Sequence, residues 1–186
     1  MSKFLLSLIL LIFAGYMMAQ DAQHQYVGVS KCKTCHKTEK QGQQLGIWES
    51  SKHAGAYKTL LSEEAVKIAK EKGLEKAPSE APECLKCHVA GYNVDASLKA
   101  ETFSAEDGVQ CESCHGAGAD YRKKTIMKDR KASIENGMSP ILVDDGTAEK
   151  FCKTCHNSES PTFKEFDFAK SWDEIKHPVP EGGGDE

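Results

Sequence analysis

Four copies of one short motif account for all 8 cysteines of this 186-residue chain. They are Cys32-Lys-Thr-Cys35-His36, Cys84-Leu-Lys-Cys87-His88, Cys111-Glu-Ser-Cys114-His115 and Cys152-Lys-Thr-Cys155-His156. C-x-x-C-H is the pattern of covalent c-type haem attachment. The two thiols add across the two vinyl groups of a haem and form thioethers. Two intervening residues let both sulfurs reach vinyls on the same side of the porphyrin. The His that follows lies under the iron as its proximal ligand. No cysteine is left for another task.

Three other readings of paired cysteines compete: four-thiolate zinc sites, disulfides and thioredoxin-like redox chemistry. The adjacent histidines decide against them. With 7 His in the chain, a given position is His roughly 4% of the time. Four C-x-x-C pairs all followed by His then arise by chance on the order of once in several hundred thousand. Neither a four-thiolate zinc site nor a disulfide needs that His. The expected cofactors are four covalently bound c-type haems.

The N-terminus agrees with this chemistry. Lys3 precedes an apolar run from Phe4 to Met18, which ends at Met17-Met18-Ala19-Gln20. This reads as a signal peptide over residues 1–19, cleaved after Ala19. The competing reading is an uncleaved anchor, but the run is short for a span and polar sequence follows at once. Haem attachment to C-x-x-C-H occurs outside the bacterial cytoplasmic membrane. A periplasmic or extracellular location is expected, with no stable membrane span after cleavage.

A cleaved chain running from Gln20 leaves about 42 residues per haem, too few for a separate domain around each. The haems must form much of the core. Hydrophobic residues make up 39% of the chain and the mean hydropathy is −0.51, low for a protein that fills its own interior. Porphyrin faces supply the missing apolar surface. One tetrahaem domain is expected over residues 20–179, followed by a disordered Gly-rich tail at 180–186.

The formal net charge is −4. An acidic chain argues against nucleic-acid binding and suits basic docking faces on redox partner proteins. The Lys/Arg cluster from Arg122 to Lys131 is the exception, read either as a docking patch or as a solvated helix face.

The motif starts are separated by 52, 27 and 41 residues, so this is no regular repeat. The segments between them predict a mainly α fold of short helices and loops with little strand. Helices are expected over 48–61 and 62–72, the second capped by Ser62 and stopped by Gly73. Another is expected over 125–136, stopped by Gly137. Thr147 is expected to cap the helix carrying the fourth motif. Ser171 and Glu174 form an S-x-x-E capping box ahead of Pro178. Pro78 and Pro82 read as breaks, and 89–108 as loop.

Four histidines are proximal ligands, which leaves His24, His53 and His177. Three candidates cannot fill four distal places. At least one iron must take another ligand, borrow one from a neighbouring molecule, or stay open. His53 precedes small Ala54, Gly55 and Ala56, which let a porphyrin approach closely. His177 ends a helix carrying Trp172 and Ile175. His24 lies close to the expected mature start, where a surface histidine is the competing reading.

The chain resembles the tetrahaem cytochrome c family typified by the electron acceptor of hydroxylamine oxidoreductase. The likeness rests on Trp48 and His53-Ala54 after the first motif, and on His88-Val89-Ala90-Gly91-Tyr92. It rests also on Gly108-Val109-Gln110 before the third motif, on Glu112-Ser113 within it and on Gly116-Ala117-Gly118 after it. A fourth motif ahead of a C-terminal His completes the pattern. The resemblance implies four stacked haems, His53 on haem 3, His177 on haem 1, and a five-coordinate haem 2 on His88. The chain departs from the family in two respects: it is shorter, so the hydroxylamine oxidoreductase partner is not carried over, and the family has a distal His for haem 4 shortly after the third motif. Here that stretch is Tyr121 to Met127 with no His, and the thioether of Met127 is a candidate ligand. Bis-His haems tend to low potentials, and a Met ligand raises one.

The expected role is an electron carrier between redox partners, not an enzyme. Two alternatives are a haem enzyme reducing a small nitrogen oxide at an open iron, and a subunit of an extracellular conductive filament. In the filament, His24 would serve a neighbour's haem by self-assembly.

Overall fold

Among the described residues no helix runs past nine residues, because turn-forming glycines and extended caps interrupt the chain at short intervals. The computed structural model describes residues 24–179. The expected signal peptide (1–19) and tail (180–186) lie outside the described residues.

Among the described residues ten short α-helices follow one another: α1 Val29–Lys33, α2 Gln44–Ser50, α3 Ala56–Thr59, α4 Glu63–Glu71, α5 Pro82–His88, α6 Cys111–His115, α7 Lys124–Met127, α8 Arg130–Glu135, α9 Thr147–Cys152 and α10 Phe168–Ile175. Strand among the described residues is limited to a parallel bridge between Tyr26 and Lys99. The expected mainly α class with little strand is what the structure shows.

Local signals explain several boundaries. The Ser62 hydroxyl accepts the Ala65 N–H and opens α4, and Gly73, at φ +69°, follows its end. Pro82 occupies the first turn of α5 rather than breaking it, since a first-turn residue needs no N–H partner.

Elsewhere the structure differs from expectation. The 48–61 segment is two helices, α2 and α3, because Ser51 turns extended between them. The 125–136 helix is also two, since the Asp129 side chain accepts the Ala132 N–H and starts α8 anew. Thr147 is the first residue of α9 rather than its cap. Its N–H goes to the Asp145 carboxylate at 2.9 Å, and its hydroxyl accepts the Leu142 N–H at 2.9 Å. The Ser171–Glu174 box is not used: α10 begins earlier, with Asp167 accepting the Lys170 N–H.

The interior is short of large side chains. Of the eleven buried hydrophobic residues, five are alanines, and no Phe, Trp, Ile or Met is among them. The most constrained interior group is charged. Glu112 is 1% exposed, and its carboxylate accepts from three backbone N–H groups. Oε1 takes Val27 at 2.9 Å and Gly118 at 2.7 Å, while Oε2 takes Gly28 at 2.7 Å and Val27 at 3.1 Å. Converging amides of this kind stabilise a buried anion without a side-chain cation. The latch ties the start of α1 to α6, so the first and third motifs become neighbours. Thr102 braces the same segment, its hydroxyl donating to the Val27 carbonyl at 2.7 Å. Only glycine fits at position 28: φ is +81°, and a Cβ would fall 2.5 Å from the Thr102 carbonyl oxygen.

Glu112→Ala leaves those three buried donors without an acceptor, a cost of about 3 kcal/mol or more. The expected outcome is a lower denaturant midpoint followed by helical circular dichroism. Glu112→Gln falls between wild type and Ala, because its amide presents N–H to N–H.

Candidate haem centre

Each motif is built on one helical turn, which brings positions i, i+3 and i+4 to one face. The second and third motifs lie wholly within α5 and α6. In the first, Cys35 and His36 both donate N–H to the Cys32 carbonyl at 3.1 Å, extending the turn past α1. In the fourth, Cys155 and His156 do the same to Cys152 at 3.2 and 3.0 Å. Both sulfurs and the imidazole of each motif therefore share a side.

No disulfide joins any of the eight cysteines. Their neighbours give the motifs a spatial order that differs from chain order. The Cys32 thiol lies beside Cys111, joining motifs one and three; this contact is the main cause of a raised Cys32 pKa, burial adds to it, and the Arg122 guanidinium nearby opposes it. The Cys114 thiol is pushed up to about 11 by burial and then by Cys152 and Cys155, which places motif three beside motif four. Cys87 is pushed up to about 11 by burial and then by Cys155, which places motif two beside motif four. An ion pair between Lys86 and Glu159 crosses the same junction. The series runs one, three, four, two.

The spare histidines enter this series. His53 faces His156 with ring centroids 6.0 Å apart, and His177 faces His115 at 5.8 Å. Bonds of about 2 Å from two imidazole nitrogens to one metal ion put the ring centroids about 6 Å apart, so each pair is spaced as two imidazoles that would hold one iron. His177 also lies near enough to His36 that His36 helps to lower its pKa. These neighbours differ from the pairing that the resemblance implies, His53 with the third motif and His177 with the first. Motifs three and four adjoin, so a ring entering between them meets both. Burial pushes His115 down to about 4, with His177 and His36 adding to it, and lowers His53 with help from His156. Neutral imidazole is the form that ligates a metal.

Other residues orient the rings. His88 Nδ1 contacts the Ala56 carbonyl at 2.7 Å and Thr59 Oγ1 at 3.2 Å; donation to that carbonyl leaves Nε2 free for a metal. The Phe166 ring stacks on His156 at 4.7 Å. His36 Nδ1 is buried without a protein partner. His24 stands apart from these pairs: its Nδ1 meets Asp120 Oδ2 at 2.8 Å, and the ring packs on Gly137. Met127 ends α7, half-buried, outside the paired rings.

The donor set fits haem. Among the described residues no three His, Cys, Asp or Glu side chains converge as a single-ion site would require. Haem asks instead for two thiols and one or two imidazoles per iron, and for apolar faces that an alanine-rich interior leaves room to accept.

Residues 31–116 match the family described as "Cytochrome c554 and c-prime". Over that stretch the chain is similar to the cytochrome c554 family. Cytochrome c-554 of Nitrosomonas europaea is 30% identical over 164 residues, covering 81% of this chain and 65% of that relative. The chain thus spans just under two thirds of the length of the curated relative it matches. No solved structure matches. Likeness to a c-type cytochrome family points to covalently bound c-type haem.

Sequence reasoning missed the supports. Glu112 appeared only as part of a family signature, though an acid inside C-x-x-C-H invites a search for its partner. Nothing marked Asp120 as the partner of His24, or Ala56 and Thr59 as contacts of His88, because these join positions far apart in the chain.

The backbone at His53 is held by its neighbours: Gly108 stands at φ +70°, where a Cβ would lie 2.8 Å from the His53 carbonyl oxygen, and the Val109 N–H donates to that oxygen at 3.2 Å. Gly108→Ala therefore displaces His53. The expected outcome is partial conversion of one low-spin haem to high spin in the visible spectrum, with the haem content unchanged.

Proposed function

We propose that this chain is an exported electron carrier with four covalently bound c-type haems on one domain over residues 20–179. The observation that carries this reading is the contiguous series of four C-x-x-C-H turns, with two spare histidines set about 6 Å from motif histidines. Cys32 and Cys35, Cys84 and Cys87, Cys111 and Cys114, and Cys152 and Cys155 form the thioethers. His36, His88, His115 and His156 are the proximal ligands. Haem bound there supplies one-electron exchange at its iron. The residues hold each ring plane, exclude water and set the potential through ligand identity and burial.

His53 and His177 are the distal ligands of two irons. His88 belongs to the open one, as the resemblance implies, since the rings of His53 and His177 face other motifs. For the remaining iron, His24 and Met127 are the candidates. The His24–Asp120 contact lies within one chain, which favours a soluble carrier over a filament in which His24 serves a neighbour. Among the described residues no helix is long and apolar enough to cross a membrane. Donor and acceptor are redox proteins.

Visible and magnetic-resonance spectra test the ligand set. His53→Ala and His177→Ala should each turn one low-spin haem high-spin. Carbon monoxide added to the reduced wild type should bind at about one site per chain, because a vacant ferrous position accepts it and a bis-His one resists. Unchanged low-spin counts in both variants, or no binding in the wild-type monomer, would contradict the assignment.

A further inference from the structure

Charge is unevenly spread along the series of motifs. Between residues 31 and 40 the chain places Lys31, Lys33, Lys37 and Lys40, all exposed, against a single carboxylate, Glu39. The ion pairs formed among the described residues include none of these four lysines. Cys35, between them, is the exposed thiol of the eight. Arg122 lies close to Cys32 and adds a further cation from the stretch after the third motif; Lys124 is exposed nearby, while Lys123 is paired with Asp120 at 4.0 Å. The opposite end is different. Around the second motif Glu80 and Glu83 are exposed and Lys86 is paired with Glu159. A chain of net charge −4 thus reverses its sign at the first motif, one terminus of the series.

We propose that the face around Cys35, built from Lys31, Lys33, Lys37, Lys40 and Arg122, docks an acidic redox protein. This rests on the reading of the chain as a four-haem electron carrier. It reverses the expectation from net charge, under which partners present basic faces. The physical ground is local: attraction acts over about a Debye length of 8–10 Å, so a partner senses the patch and not the whole-chain sum. Exposed carboxylates on a protein match scattered ammonium groups. The exposed large hydrophobic residues that would favour insertion into lipid do not fall between positions 31 and 40. Complementary patches raise encounter rates by ~10–10³-fold, and added salt removes the gain.

The test uses oxidised holoprotein whose intact mass carries four haems, with reduced flavodoxin as an acidic one-electron donor. Each productive encounter takes one electron from the flavin and delivers it to the holoprotein, followed by stopped-flow absorbance. At low ionic strength the Lys31→Glu, Lys33→Glu, Lys37→Glu, Lys40→Glu variant should react about tenfold more slowly or worse. A control reversing Lys58, Lys67, Lys70 and Lys72, with the same change of net charge, should lose less than about twofold. Should the four-fold variant fail to take up haem, Lys37→Glu, Lys40→Glu, Arg122→Glu leaves every C-x-x-C-H segment intact and should slow the reaction about threefold or more. Equal losses in patch and control variants would overturn the proposal. So would wild-type binding to phosphatidylserine vesicles as tight as to flavodoxin. Loss of the lysine effect in a chain ending at Val179, without the acidic 180–186 segment, would overturn it too. A mass without four haems sinks the underlying carrier reading instead, so the two failures are distinguishable.

Discussion

The carboxylate of Glu112 is the interaction on which the arrangement depends. It sits inside the third C-x-x-C-H motif and accepts N–H groups from Val27 and Gly28 on one side and Gly118 on the other. A helix of five residues has little stability of its own. The latch gives α6 a fixed partner and sets Cys32 against Cys111. From there the chain leads through the fourth motif to the second. Placing the acid within the attachment motif means that the residues which bind haem also fix how neighbouring sites approach one another.

The alanine-rich interior follows from the same logic. A chain whose large buried groups are cofactors has little use for a Leu- and Phe-filled core, and its own buried set is mostly Val and Ala. Helix-to-helix packing is correspondingly sparse, and stability is tied to cofactor binding. Loss of haem should therefore cost the fold far more than loss of any single apolar side chain.

How far this was legible in the sequence depends on the range of the interaction. The motifs, the Ser62 cap and the Gly73 stop are local, and the structure reproduces the two helix signals. The break between α2 and α3 was not legible. Residues 48–61 carry good helix formers, yet the His53 carbonyl is claimed by the Val109 N–H, and the backbone leaves the helix to meet it. Asp167 capped α10 where Ser171 and Glu174 offered the stronger pattern, because a cap is decided by where the helix docks. For the site, residue types could be counted but not paired. Three spare histidines for four irons was readable; that His53 would face His156, and His24 would meet Asp120, was not. Net charge is a coarse guide for a similar reason, since it averages over a surface on which the first motif stands among exposed lysines.

The central claim is that four haems sit in the spatial order one, three, four, two, with the iron on His88 open. Electron paramagnetic resonance of the fully oxidised holoprotein tests it most directly, since neighbouring paramagnetic irons perturb one another's signals. The account predicts a high-spin signal from one iron, broadened by coupling to a neighbour, and low-spin signals that are likewise coupled. Four independent low-spin signals, with no high-spin iron and no coupling, would contradict both the order of the motifs and the open site.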